Sequence, residues 1–288
     1  MIGKQLKWIL LALLALIWGS SFILIKKGLV GLNPFQLGSL RILFATVFLV
    51  IIGFKSIKKI PLYQWKFIAL TALFGTFIPV YFFALAETNI DSSVTSVLNS
   101  LTPLNALILG IVAFNLQFKR AQILGVIIGF IGTLLLIING AMQHPGQNYY
   151  YAIFAIVGSV CYGINVNLIK KYLSDLSPLS ITTGNFIVLS IPAVIILHYS
   201  GFLDIMHEEK VHYSIWFILV LAIVGTGVAN ILFFKLIQMS SPIFATMVTY
   251  LIPIVAFFWG VLDDEFLTAV QYLGAAIILV GVYLWSKK

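Results

Sequence analysis

The chain repeats itself, and it does so inside nearly unbroken apolar sequence. Gly19, Leu24, Lys26, Lys27 and Pro34 recur without a gap as Gly163, Leu168, Lys170, Lys171 and Pro178. Further on, Gly75-Thr76 falls on Gly225-Thr226, Phe83 on Phe233, Leu101 on Leu251 and Pro103 on Pro253. After a one-residue slip Gln122, Gly125 and Gly132 meet Gln271, Gly274 and Gly281. Segments this alike fold alike, so the repeat predicts two five-helix halves, 1–142 and 143–288, with the working site between them.

Composition says what surrounds those halves. Hydrophobic residues make up 61% and charged residues 9%, against roughly 45–50% and about 25% in soluble domains, so most of the surface must face lipid. The first apolar run, from about Trp8 to Ile25, is part of the repeat and lacks a small-residue cleavage site, so it is expected to stay as a helix. Cys161 is the single cysteine, which excludes an intramolecular disulfide and a cysteine metal cluster; a small packing role is expected of it.

A membrane helix needs about 20 mostly apolar residues. Ten segments qualify: roughly 7–26, 35–54, 63–86, 92–114, 120–139, 149–170, 178–198, 213–236, 241–262 and 267–286. The expected fold class is therefore an all-α integral membrane protein of ten transmembrane helices. Five per half is an odd number, so the second half must enter the bilayer from the opposite side, giving inverted topology. With both termini on one side, that side holds Lys4, Lys7, Lys55, Lys58, Lys59, Lys66, Lys119, Arg120, Lys170, Lys171, Lys235, Lys287 and Lys288. The other side holds Lys26, Lys27 and Lys210. The first is then cytoplasmic, and the net charge of +8 follows from topology rather than from a nucleic-acid partner. Membrane lipids and a small-molecule substrate are the expected partners, in a chain compatible with a monomer.

Polar groups at membrane depth are costly and tend to line cavities. Ser92, Ser96, Asn99 and Pro103 recur at helical spacing in the fourth segment, and Thr246, Thr249, Tyr250 and Pro253 occupy the matching stretch of the ninth. Such a stripe lines a cavity or glues helices together; the cavity is favoured because the stripes coincide and each ends in a proline able to hinge its helix. Trp18 and Ser21 align with Tyr162 and Asn165, with Asn167 nearby, and Tyr81 and Asn230 project from the third and eighth segments. Rings beside amides suit a zwitterionic or moderately polar organic solute. Arg41 lies on the order of 10 Å inside its helix at 1.5 Å per residue. It is a snorkelling anchor, a partner for carbonyls or Glu87, or a carboxylate-binding group. Its repeat mate is the neutral Asn185.

No Walker loop and no dinucleotide fingerprint is present, and no paired acid and base lie at depth, so neither a cofactor nor enzymatic chemistry is expected. His198, His207 and His212 match no standard zinc spacing. Glu87, at an outer helix end, is the sole carboxylate near membrane depth, so intrinsic proton coupling is not expected.

Trp18-Gly19-Ser20-Ser21-Phe22, Arg41, the stretch from Ala84-Leu85 to Pro103, Tyr250-Leu251-Ile252-Pro253 with Glu265, and Gly281-Val282-Tyr283-Leu284 together resemble the EamA-type branch of the drug/metabolite transporter superfamily. The resemblance covers nearly the whole chain. It implies two inverted five-helix repeats, alternating access and, in bacteria, export of amino acids or related metabolites across the inner membrane. Glu265 is matched in the first half by Asn115-Leu116-Gln117, so any role of that acid is not shared. A lipid or lipid-precursor flippase of the same fold is the alternative.

Overall fold

The computed structural model describes residues 2–115, 120–143, 148–262 and 268–286. Lys119, His144, Asp263, Asp264, Glu265, Lys287, Lys288 and the Leu116-Gln117 pair lie outside the described residues. In chain order the long helices are Ile2–Gly28 (α1), Pro34–Ile57 (α2), Leu62–Ala86 (α3), Val94–Val112 (α4), Arg120–Gln143 (α5), Ala152–Tyr172 (α6), Pro178–Tyr199 (α7), Glu209–Met239 (α8), Pro242–Leu262 (α9) and Ala269–Ser286 (α10). Among the described residues eight of these, α1–α4 and α6–α9, are long and apolar enough to cross a membrane, and no strand is present.

Start signals sit where the repeat places them. Asn33 caps α2 through Phe35 N and Gln36 N, with Gln36 returning a bond to the Asn33 N–H. Ser177, its counterpart, caps α7 through Ser180 N. The duplicated Pro34 and Pro178 occupy the first turns, where their missing N–H costs no helical bond.

Packing is reciprocal between the halves. α1 lies against α8 and α9, while its counterpart α6 lies against α3 and α4; α2 pairs with α7 and α5 with α10. Glycines permit the closest crossings. A Cβ on Gly19 would lie 2.5 Å from Val255 Cβ of α9, and one on the equivalent Gly163 would lie 2.9 Å from the backbone N of Ala106 in α4. With no hydrophobic drive between helices in lipid, backbone approach of this kind supplies the packing contacts that hold a bundle together.

Two features interrupt the helices. α3 and α8 each contain a π-helical turn, Leu73–Phe77 and Ile223–Val228, at the duplicated Gly-Thr positions. α4 breaks at Ser100-Leu101, just before Pro103, and α9 breaks at Met247, well before Pro253, which sits inside a continuous helix. Each proline lacks the N–H that the carbonyl four residues earlier needs. The freed carbonyls are Asn99 O and Thr249 O. Thr102 Oγ1 donates to the first (2.7 Å), and Ser100 Oγ donates across the halves to the second (2.7 Å). Ser100→Ala should therefore strand a buried acceptor and lower stability by about 1–3 kcal/mol, while Ser100→Thr keeps the donor. Thermal unfolding in detergent measures the difference; equal melting of both variants would show that water replaces the hydroxyl.

Candidate functional site

A cavity with ≈ 810 Å³ of empty space, open solvent included, lies between the halves. Eight residues singled out in the sequence share its wall: Trp18, Ser21, Arg41, Asn99, Tyr162, Asn165, Asn230 and Thr249. They come from α1, α2, α4, α6, α8 and α9, so no single helix could build it.

Five others lie elsewhere. Tyr81 packs α3 on α2, its hydroxyl 2.9 Å from Ser39 Oγ and its ring against Gly38. Tyr250 is fully buried against α5, donating to Val126 O (3.0 Å) with its ring over Gly129. Ser96 and Thr246 are fully buried and outside the lining, Thr246 bonding back to Ile243 O (3.0 Å). Asn167 ties α6 to α4 through Ala106 O (2.9 Å). Of the two prolines, Pro103 directly follows a helix break and Pro253 does not.

The wall is built twice. Trp18 meets Phe233 edge-on at 4.8 Å, and Tyr162, its counterpart, stacks with Phe83 at 5.8 Å, where Phe83 is the counterpart of Phe233. Gly225 faces Ser21 and Gly75 faces Asn165: a Cβ on either would come within 2.8 Å and 2.5 Å of those side chains. The π-helical turns thus press their glycines against the polar residues of α1 and α6. A π turn adds a residue to one helical turn, which moves backbone polar groups off the helical ladder and toward the cavity.

How those groups are satisfied differs between halves. In α8, Thr226 Oγ1 donates to Leu221 O (3.0 Å), Trp18 Nε1 donates to Gly225 O (3.0 Å), and Arg41 Nε donates to Thr226 Oγ1 (2.7 Å). In α3, Thr76 Oγ1 is buried without a hydrogen-bond partner, as is Asn165 Oδ1 opposite it. Asn185, the mate of Arg41, instead pairs with Thr71 at 3.0 Å. Among the described residues, then, one half of the cavity is internally bonded and cationic, while the other presents unmet polar atoms.

Arg41 lines the cavity wall with its Nε donating to Thr226 Oγ1. Glu87 lies within electrostatic reach of both Arg41 and Lys26, yet its two carboxylate oxygens are buried with no hydrogen-bond partner among the described residues. Phe22, Phe83, Thr102 and the Gly-Thr pairs also line the wall, positions that no polar stripe marks as part of a site. The Gly-Thr identity of the repeat was the signal that could have found the last.

The EamA-like transporter family model matches twice, over residues 6–138 and 150–287. The chain is 29% identical to an "Uncharacterized transporter" of Archaeoglobus fulgidus, covering 98% of this chain and 99% of that protein. It is 25% identical to a "Probable amino-acid metabolite efflux pump" of Escherichia coli, covering 96% and 93%. A solved crystal structure shares the fold with a TM-score of 0.73 at 14% identity, over 96% of this chain and 95% of that one.

Proposed function

This chain belongs to the EamA-like transporter family, and we propose that it is a secondary transporter that exports or exchanges small metabolites, amino acids or related organic solutes, across the inner membrane by alternating access. The observation that carries the reading is the cavity at the junction of the halves, with a doubly built aromatic wall and unequal polar poles. Arg41 offers planar paired donors to a carboxylate. Asn165 Oδ1 and Thr76 Oγ1 offer a donor-bearing group of the same solute the bonds they lack. The rings of Trp18, Tyr162, Phe83 and Phe233 supply stacking area for its apolar part.

The finer architecture belongs to the same proposal. With α5 and α10 counted, ten helices span the membrane as two inverted five-helix repeats, and the reciprocal contacts of α1 with α8 and α9, and of α6 with α3 and α4, support it. The flippase alternative would need a lateral gap to lipid, and the relatives' names lend it no support.

A cysteine placed at Asn99 in a Cys161→Ser background tests the mechanism without knowledge of the substrate. It should react with a membrane-impermeant thiol reagent applied to either face, slowly from each because only one face is open at a time. A cavity sealed from one face throughout would exclude alternating access. Topology is tested separately. The bias of thirteen basic residues against three supports cytoplasmic placement of both termini. Reporter fusions at Lys288 and at His144 should therefore signal from opposite compartments, and a shared compartment would sink the ten-helix arrangement.

A further inference from the structure

The carboxyl of Glu87 is buried beside the cavity, and the binding scheme above leaves it unused. Glu87 is the C-cap of α3, its N–H donating to Phe83 O (3.1 Å). Thr76, Val80 and Phe83 line the cavity from the same helix. Glu87 follows them at the same spacing of three and four residues, one turn beyond the wall. From sequence a helix end looks wet. The structure instead packs Ala86 and Ile90, on either side of Glu87 in the chain, into an apolar cluster with Ala155 of α6 and with Val94 and Leu98 at the start of α4.

Three features of this place disfavour an ionised carboxyl. Both oxygens are buried, neither has a hydrogen-bond partner among the described residues, and the helix end beside them is the negative pole of its dipole. Neighbouring positive charge acts the other way. Arg41 on α2 and Lys26 on α1 both lie within electrostatic reach of Glu87. α6 contributes Tyr162, which interacts with Arg41.

Arg41 lines the cavity and Lys26 does not, so a solute meets the first and leaves the second as it was. A solute carboxylate seated on the guanidinium cancels part of the charge that favours ionised Glu87, while burial and the helix pole stay unchanged. We propose that Glu87 is a proton-binding site coupled to the solute through Arg41: as the solute carboxylate engages Arg41, one proton from water adds to a Glu87 oxygen. No electron moves and no other bond breaks. The inference rests on the reading of Arg41 as the carboxylate site.

By linkage, proton and solute each tighten the binding of the other by the same factor. In net movement one proton then accompanies each solute molecule, and in one-for-one exchange none does. With the outside more acid, net loss of solute is held back until it has accumulated inside, while exchange proceeds.

A hydrophobic carbodiimide, which attacks protonated carboxyls in apolar surroundings, reads the site without any solute. Its adduct at Glu87, followed by mass spectrometry of the full chain in detergent, should fade as pH rises. In Arg41→Gln the midpoint should move to higher pH, because the cation that favours the ionised form is gone, and in Arg41→Lys it should stay near the parent. An adduct yield independent of pH, or one midpoint shared by Arg41→Gln and the parent, overturns the site. Proteoliposomes holding a pH dye and given a panel of labelled neutral L-amino acids read the coupling. Net uptake by the parent should bring in one proton per solute molecule, and in Glu87→Gln that ratio should fall to near zero at whatever flux remains. Solute flux without proton flux in the parent overturns the coupling and leaves transport standing. Should Glu87→Gln fail to fold, the parent's proton ratio and the carbodiimide midpoints decide. The expected midpoints with no flux of any amino acid in the panel would overturn the solute reading, and the coupling with it.

Discussion

Arg41→Gln should cut export of carboxylate-bearing solutes by about 10- to 100-fold while leaving the fold nearly intact. A hydrogen bond to a charged group contributes about 1.5–3 kcal/mol, and about 1.4 kcal/mol is a factor of ten, which sets the range. The fold survives because Thr226 Oγ1 keeps its own acceptor, Leu221 O, when the guanidinium is gone. Glutamine can still reach toward Thr226, so the variant removes charge and the planar donor pair more than volume. Arg41→Lys keeps the charge but not the fork, and recovers only part of the activity. Counterflow of labelled amino acids in proteoliposomes, beside thermal melting of the same preparation, measures both quantities. Normal flux in Arg41→Gln would move carboxylate recognition away from this wall.

Gly163→Val should lower stability markedly, by about 1–3 kcal/mol or more. The added Cβ would stand 2.9 Å from Ala106 N, and 3.0 Å from both Asn105 C and Asn105 Cβ. Most of that is backbone, which cannot rotate out of the way, so α6 and α4 must separate and their interface opens along its length. Gly184→Ala provides the contrast. There the new Cβ meets Ile60 Cδ1 at 3.0 Å and Ile68 Cγ2 at 3.1 Å, the ends of side chains that can shift. Melting temperatures of the two purified variants should differ clearly, with Gly184→Ala close to the parent. If Gly163→Val melts like the parent, the crossing is looser than these distances imply.

The helices were legible because apolar length and the duplicated Pro34 and Pro178 are properties of sequence alone. Two residues of the polar stripe, Asn99 and Thr249, reached the cavity and the rest did not, for a reason periodicity cannot supply. Asn99 and Thr249 face inward, whereas Thr246 and Tyr250 follow the same helical stripe but fall beyond the wall, where α9 turns toward α5. The break at Met247 alters the helix phase just there. Phe83 and Phe233 match in the repeat but carry no mark of the wall, because an aromatic ring at membrane depth looks the same whether it faces lipid, core or cavity. The π-helical turns were hidden for a different reason. Gly-Thr is compatible with an ordinary helix, and what forces the extra residue is the close approach of Asn165 to Gly75 and of Ser21 to Gly225, which exists only after the halves meet.

Arg41 opposite a neutral Asn185 has a bearing on how such a chain could have arisen. An ancestor made of one half would have assembled as a pair of identical subunits, with any residue of the wall present twice. Two copies of the first half would bring a pair of guanidiniums to one small cavity, and two copies of the second would bring none. Each half here has kept its own bond at that position, Arg41 to Thr226 and Asn185 to Thr71. A single positive pole can therefore exist only after the halves have diverged, and fusion into one chain is what guarantees that unlike halves always pair.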